Sequence, residues 1–109
     1  MKKIEFLGTS YADLKSLKKD IIRRMGFELK NVQLGFIPSD FKPMPSVGAG
    51  VSEIRVKGED GIARCFYVTK YGQRILILHV FEKKTQKTAK TDIELGKKRL
   101  AEFLREKKK

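Results

Sequence analysis

The side chains of this 109-residue chain with most to offer chemically are cations on and just after its β-like stretches: Arg55, Lys57, Arg64, Lys83 and Lys84, with His79 and Tyr67 nearby in the pattern. Positioned Arg and Lys groups stabilise the extra negative charge of a pentacovalent phosphorus. Such a set therefore suits phosphoryl chemistry, including metal-independent cleavage of RNA by its own 2′-hydroxyl. That reaction needs a base for the 2′-hydroxyl proton and an acid for the leaving 5′-oxygen, roles open to His79, Tyr67 or a lysine of depressed pKa. Each residue also has a structural reading. His79, flanked by Leu78, Val80 and Phe81, suits a buried, hydrogen-bonded histidine as well as a catalytic one. Tyr67 can stack on a base or pack within its strand. Arg64 stands between Ala63 and Cys65, so its guanidinium needs a partner or an exposed cleft, whereas Cys65 on the opposite face reads as a small buried thiol.

Familiar catalytic signatures are missing: the sequence holds no phosphate-binding P-loop, no serine or cysteine beside a histidine in a known motif and no paired-histidine metal site. One cysteine and one histidine exclude an internal disulfide and a Cys/His zinc cluster, so neither metal nor other cofactor is expected. Lys and Arg number 25 against 13 Asp and Glu, a net charge of +12 that selects polyanionic partners. Residues 83–109 hold 11 basic and 4 acidic side chains, +7 of the total, either a footprint for a phosphate backbone or a solvated helix face. The longest apolar run, Ile75 to Leu78, is far short of the roughly 20 residues that cross a bilayer. With no apolar stretch resembling a secretory signal at the amino terminus, the expectation is a cytoplasmic protein with no membrane partner.

Those residues need a frame. Ile4 and Phe6 alternate with Lys3 and Glu5, giving a strand from Lys3 to Leu7 closed by Gly8, after which Thr9 or Ser10 caps a short helix. Ile22, Met25, Leu29 and Val32 recur at helical steps, so a longer helix runs from Leu17 to Leu34 and stops at Gly35, with Lys18, Lys19, Arg23, Arg24 and Lys30 outward. All three prolines fall between Phe36 and Gly50, a loop whose Phe36, Ile37, Phe41, Met44 and Val47 suggest packing across the end of the core. Strands follow at Val51 to Lys57, Ile62 to Thr69 and Arg74 to Phe81, and their short connections demand antiparallel hairpins. The last, apolar on both faces, belongs inside the sheet. The first alternates Glu53, Arg55 and Lys57 with Ile54 and Val56, so one of its faces is expected to be wet. Thr91-Asp92-Ile93-Glu94 fits a capping box opening a final helix whose Ile93, Gly96, Leu100 and Phe103 make its buried stripe, Gly96 marking close approach to the sheet.

The run Gly50-Val51-Ser52-Glu53-Ile54-Arg55-Val56, then Arg64 to Tyr67, then Leu78-His79-Val80-Phe81-Glu82-Lys83-Lys84-Thr85-Gln86-Lys87-Thr88, resembles the phage-derived, HigB-like branch of the RelE/ParE type II toxin superfamily. The likeness continues through Asp92-Ile93-Glu94 and Arg99 and includes the Ser39 to Met44 loop, so it covers nearly the whole chain. It implies a single α+β, RelE-like domain over residues 1–109: a short N-terminal strand and two helices packed on an antiparallel β-sheet, with a C-terminal helix. It also implies ribosome-dependent mRNA cleavage and neutralisation by a cognate, helix-turn-helix, HigA-like antitoxin, through which alone the toxin would reach operator DNA. By pattern Arg55, Arg64 and Lys84 occupy the places of the family's catalytic cations, Lys83 is an adjacent candidate, and Lys57, Lys87 and Lys42 join it as RNA-binding candidates. Glu53 departs from the RelE pattern where a lysine would strengthen the set, and no tyrosine follows in the final helix. A different proton-transfer arrangement is then required, for which His79 and Tyr67 are the nearest groups by chemistry. Two alternatives stand beside this reading, a ParE-like toxin inhibiting DNA gyrase and a non-catalytic nucleic-acid-binding accessory protein of a phage.

Overall fold

Two glycine-bearing turns fold the middle of the chain back on itself twice, and the sheet they begin organises everything else. The computed structural model describes residues 1–59, 61–83 and 88–107. Along the chain these form β1 (Lys3–Phe6), α1 (Ser10–Lys15), α2 (Lys19–Gln33), β2 (Phe41–Pro43), β3 (Val51–Lys57), β4 (Ile62–Val68), β5 (Arg74–Lys83) and α3 (Lys90–Lys107). Strand order is β1-β5-β4-β3-β2. The β3–β4 and β4–β5 pairs are antiparallel, as their short turns require, and β5 lies inside the sheet. The sheet is mixed rather than wholly antiparallel, because β1 runs parallel to β5, from Lys3 opposite Arg74 to Phe6 opposite Ile77. No tight turn joins those two strands, so nothing forces them to oppose.

Strand alternation gives the sheet two faces, and helices cover both. On one, Leu14 of α1 and Ile21, Met25, Leu29 and Val32 of α2 pack on Ile54, Val56, Ala63, Cys65, Tyr67, Ile75, Ile77 and Val80. The α2 stripe uses Ile21 rather than Ile22, a shift invisible to a pattern in which both neighbours are isoleucine. On the other, Leu100 and Phe103 of α3, with Met44 and Val47 of the preceding loop, pack on Val51, Phe66, Val68, Leu76, Leu78 and Phe81. Gly96 makes this closeness possible, since a Cβ there would sit 2.9 Å from both the Phe66 ring and a Val47 methyl.

Three expectations are corrected. The proline-rich segment contains a short edge strand, β2, which pairs antiparallel with β3 and tolerates Pro43 because one side of an edge strand has no neighbour to hydrogen-bond. Of the five apolar residues expected to pack, Met44 and Val47 are buried, while Phe36, Ile37 and Phe41 stand in solvent. The helix α3 starts at Lys90, with the Ala89 carbonyl accepting from Asp92 and Ile93, so Thr91 sits inside the first turn instead of capping it and Asp92 is free to reach the sheet.

The regular alternation of β5 breaks once. Its pairing to β4 slips between Phe66 opposite His79 and Tyr67 opposite Ile77, which leaves Leu78 as the extra residue of a β-bulge. Before it, Ile75 and Ile77 face α2; after it, Val80 does. Leu78 and His79 therefore both turn toward α3.

Candidate functional site

The α3-facing side of the sheet carries most of the side chains singled out above. Arg55 on β3 and Arg64 on β4 are directly opposed across the ladder. Two cations so placed would repel, and the group between them is Glu53. Its Oε1 accepts from Arg55 Nε at 2.9 Å and from Arg64 Nη1 at 3.4 Å. Thr88, just before α3, completes the cluster: its hydroxyl accepts from Arg64 Nη1 at 2.8 Å and donates to Glu53 Oε2 at 2.9 Å. Glu53 and Arg64 are fully buried, whereas the Arg55 side chain keeps 21% of its surface in water. The face of β3 expected to be wet is thus dry at Glu53, because its carboxylate is fully paired there. Lys42, opposite Glu53 on β2, is exposed and shares with Met44, Ser46, Thr88 and Ile93 a shallow recess beside this cluster.

A second polar group lies farther along β5. His79 Nε2 is 2.8 Å from Asp92 Oδ1, and Lys83 Nζ is 3.3 Å from the other oxygen of the same carboxylate. The carboxylate sits in the first turn of α3, where the helix dipole favours it. The His79 ring stacks on Phe81 at 4.5 Å and meets Phe66 edge-on at 5.9 Å. Burial among these rings pushes the His79 pKa down, outweighing the Asp92 hydrogen bond and charge that would raise it. The imidazole is therefore neutral at pH 7, and an ionised Asp92 requires the proton on Nε2, leaving the lone pair on Nδ1. That Nδ1 is buried and has no hydrogen-bond partner among the described residues. Behind the bulge, Arg99 of α3 donates to the Leu78 carbonyl and to the Thr9 hydroxyl, both at 2.9 Å. Gly8 has φ +56° and leaves the space this guanidinium fills.

The sequence candidates divide accordingly. Arg55, Arg64, His79 and Lys83 come together on one face, with Lys42 at its edge. Tyr67 does not join them: it is buried in the opposite face with Cys65, and burial raises its phenol pKa. Burial likewise pushes the Cys65 thiol up, with the Glu53 charge adding to it. Lys57 is exposed at the end of β3, its carbonyl accepting from Arg24 Nη1 at 3.1 Å. Lys84 and Lys87 lie outside the described residues. Among the described residues no three or more His, Cys, Asp or Glu side chains converge as a metal-binding set, and no helix is long and apolar enough to cross a membrane.

Sequence reasoning missed the three groups that order this face. Glu53 was legible, since residues two apart on a strand share a face and Arg55 is its i+2 neighbour. Asp92 was visible only as a helix-capping residue. Thr88 had no local signal at all.

Residues 12–101 match the family model described as phage derived protein Gp49-like (DUF891). No curated protein matches the chain.

Proposed function

The chain belongs to the phage-derived Gp49-like family, part of the RelE/HigB-like toxin group, and from that premise we propose that it is the toxin of a type II toxin–antitoxin pair acting as a ribosome-dependent mRNA endonuclease. The observation that carries this reading is the opposition of Arg55 and Arg64 on one sheet face, clamped by Glu53, with His79 farther along the same face. Clamping holds Arg55 in a fixed orientation while part of its surface remains in water, which is what a phosphate-stabilising guanidinium needs. Arg64, fully buried, acts through Glu53 and Thr88 as a positioning residue rather than as a direct phosphate ligand. Lys83 and Lys84 supply further positive charge beside the reacting phosphate, and Lys42, Lys57 and Lys87 hold the RNA backbone.

His79 is the group we assign to proton transfer: Asp92 fixes its tautomer, and its Nδ1, buried in the free chain, takes the proton once bound RNA uncovers it. Tyr67, on the other face, is assigned to packing. The chain would act as an mRNA cleaver on the ribosome, in the cytoplasm, held in check by a helix-turn-helix antitoxin that alone touches operator DNA. Expressing the protein and mapping transcript 5′ ends tests this. Translation-dependent cleavage should appear, and Arg55→Ala should reduce it by about 10²–10³-fold, the loss typical of one transition-state donor, at a temperature where the melting curve shows the variant, whose Glu53 keeps Arg64 and Thr88, still folded. Intact transcripts during growth arrest would remove the endonuclease reading.

A further inference from the structure

The part of the surface that the cationic face does not explain lies on the far side of α2. Arg23, Phe27, Lys30 and Leu34 follow one another at helical spacing on the pole opposite the buried Ile21, Met25 and Val32. Phe27 is 64% exposed and Leu34 50%. Beyond the helix the chain doubles back beside it: Phe36 N–H donates to the Asn31 carbonyl, and Ser39 donates its N–H and hydroxyl to the two oxygens of Glu28 at 2.7 and 3.2 Å. This strap carries Phe36 and Ile37, again exposed, and leads through Asp40 to β3, where Arg55 N–H donates to the Asp40 carbonyl. Of the seven exposed large apolar residues among those described, five lie between Phe27 and Phe41. An apolar patch gathered along one helix and its strap marks an interaction surface rather than scattered surface hydrophobicity.

The patch runs into a cleft of about 460 Å³ between α2 and β3, bordered by Arg23, Arg24, Phe27, Glu28, Arg55 and Lys57. Four of these are cations. The one carboxylate, Glu28, is already committed to Ser39, so the cleft presents an apolar floor with a positive rim. A single strand of RNA would exploit the charge and stack on Phe27, but Leu34 and Ile37 offer no π face to a base. Aliphatic and aromatic side chains framed by cations match an amphipathic protein segment bearing carboxylates.

We propose that the outer face of α2 and its cleft with β3 seat an acidic, amphipathic segment of the protein that neutralises this toxin. Its apolar side chains cover Phe27 and Leu34, and its carboxylates meet Arg23, Arg24 and Lys57. The proposal rests on the toxin reading above and extends it. Arg55 borders this cleft and, by its side chain on the other face of the sheet, belongs to the Glu53 clamp, so occupancy here sits at the edge of the clamp and leaves α3 in place.

The test uses the full chain and, as probe, the protein encoded by the adjacent reading frame, with affinity measured by calorimetry. The double variant Phe27→Ser/Leu34→Ser should weaken the complex by about 100-fold, the loss expected of a buried apolar anchor. Arg23→Glu should weaken it by about tenfold, and Lys98→Glu, an equal charge change at an exposed position of α3, should leave it unaltered. All four positions are at the surface, so melting temperatures serve as the folding control. A complex indifferent to the double variant, or weakened as much by Lys98→Glu as by Arg23→Glu, overturns the docking surface while the toxin reading stands. If the unaltered chain forms no complex, the toxin–partner reading falls and the proposal with it. A 12-nucleotide single-stranded RNA that loses more affinity than the protein probe in the double variant assigns the surface to nucleic acid and overturns the proposal.

Discussion

The two faces of the sheet are built from the same strands and held in opposite ways. Toward α1 and α2, β3, β4 and β5 present Ile54, Val56, Ala63, Cys65, Tyr67, Ile75, Ile77 and Val80, a surface stabilised by removing apolar area from water. Toward α3 the apolar contacts of Leu76, Leu78, Val68 and Phe66 give way, at one end, to Glu53, Arg64, His79 and Asp92. There stability depends on every charge keeping its partner, because an orphaned charge in a dry setting costs far more than a lost methyl group. Several of those partners, Thr88, Asp92 and Arg99, come from α3 or the residues just before it. A packed apolar face thus tolerates small shifts, whereas the charged end requires α3 to stay in register.

Glu53→Ala tests that contrast hardest. Removing one partner of a buried ion pair should cost about 3–5 kcal/mol in urea unfolding. In a double-mutant cycle with Thr88→Ala the two losses should be coupled by about 0.5–3 kcal/mol, whereas Glu53→Ala with Ile77→Ala, on opposite faces, should add to within about 0.5 kcal/mol. Additivity in both cycles would dissolve the distinction. Gly96→Val probes the apolar part of the α3 face: the new methyls meet Phe66 and Val47, and the overpacking should cost about 1–3 kcal/mol, read from the thermal midpoint.

The effect of pH comes next. His79 is the chain's one histidine, so its ring resonances report the titration without ambiguity. The folded state holds its pKa below the ordinary 6.5, chiefly through burial, so the unfolded chain takes up the proton first as pH falls. This contribution to stability is complete above pH 6.5, declines below it as the folded ring resists protonation, and should vanish in His79→Gln. The smallest expected effect is on the opposite face. Cys65 is fully buried with its thiol pKa raised, so a thiol reagent should leave the native protein untouched and modify it only on unfolding.

Much of the frame was written locally. Alternation in β3 and β4, short turns between the strands, the stripe of α3 and the glycine at its closest approach to the sheet all follow from neighbours in sequence, and the structure has them where expected. What escaped depends on distant residues. Glu53 looks like the solvent side of an amphipathic strand until Arg64, on the next strand, and Thr88, from beyond β5, are brought to it. The edge strand β2 hides behind Pro43, since strand formation there depends on a neighbour rather than on propensity. For the candidate site, residue types were legible and accessibility was not: Arg64 and Arg55 are equal in sequence, but only Arg55 reaches water.

The bulge in β5 decides more than the placement of one histidine. Ile75 and Ile77 are odd-numbered and look toward α2; His79, Phe81 and Lys83 are odd-numbered and look the other way. One inserted residue has exchanged the parity of the strand halfway along. Deleting Leu78 would restore strict alternation with His79, Phe81 and Lys83 still facing α3, whereas flattening the bulge with Leu78 retained would carry them as a block to the side of α2 and bring Val80 and Glu82 beneath α3. The backbone kink at Leu78, rather than the number of residues, therefore holds His79 and Lys83 in the phase that meets Asp92.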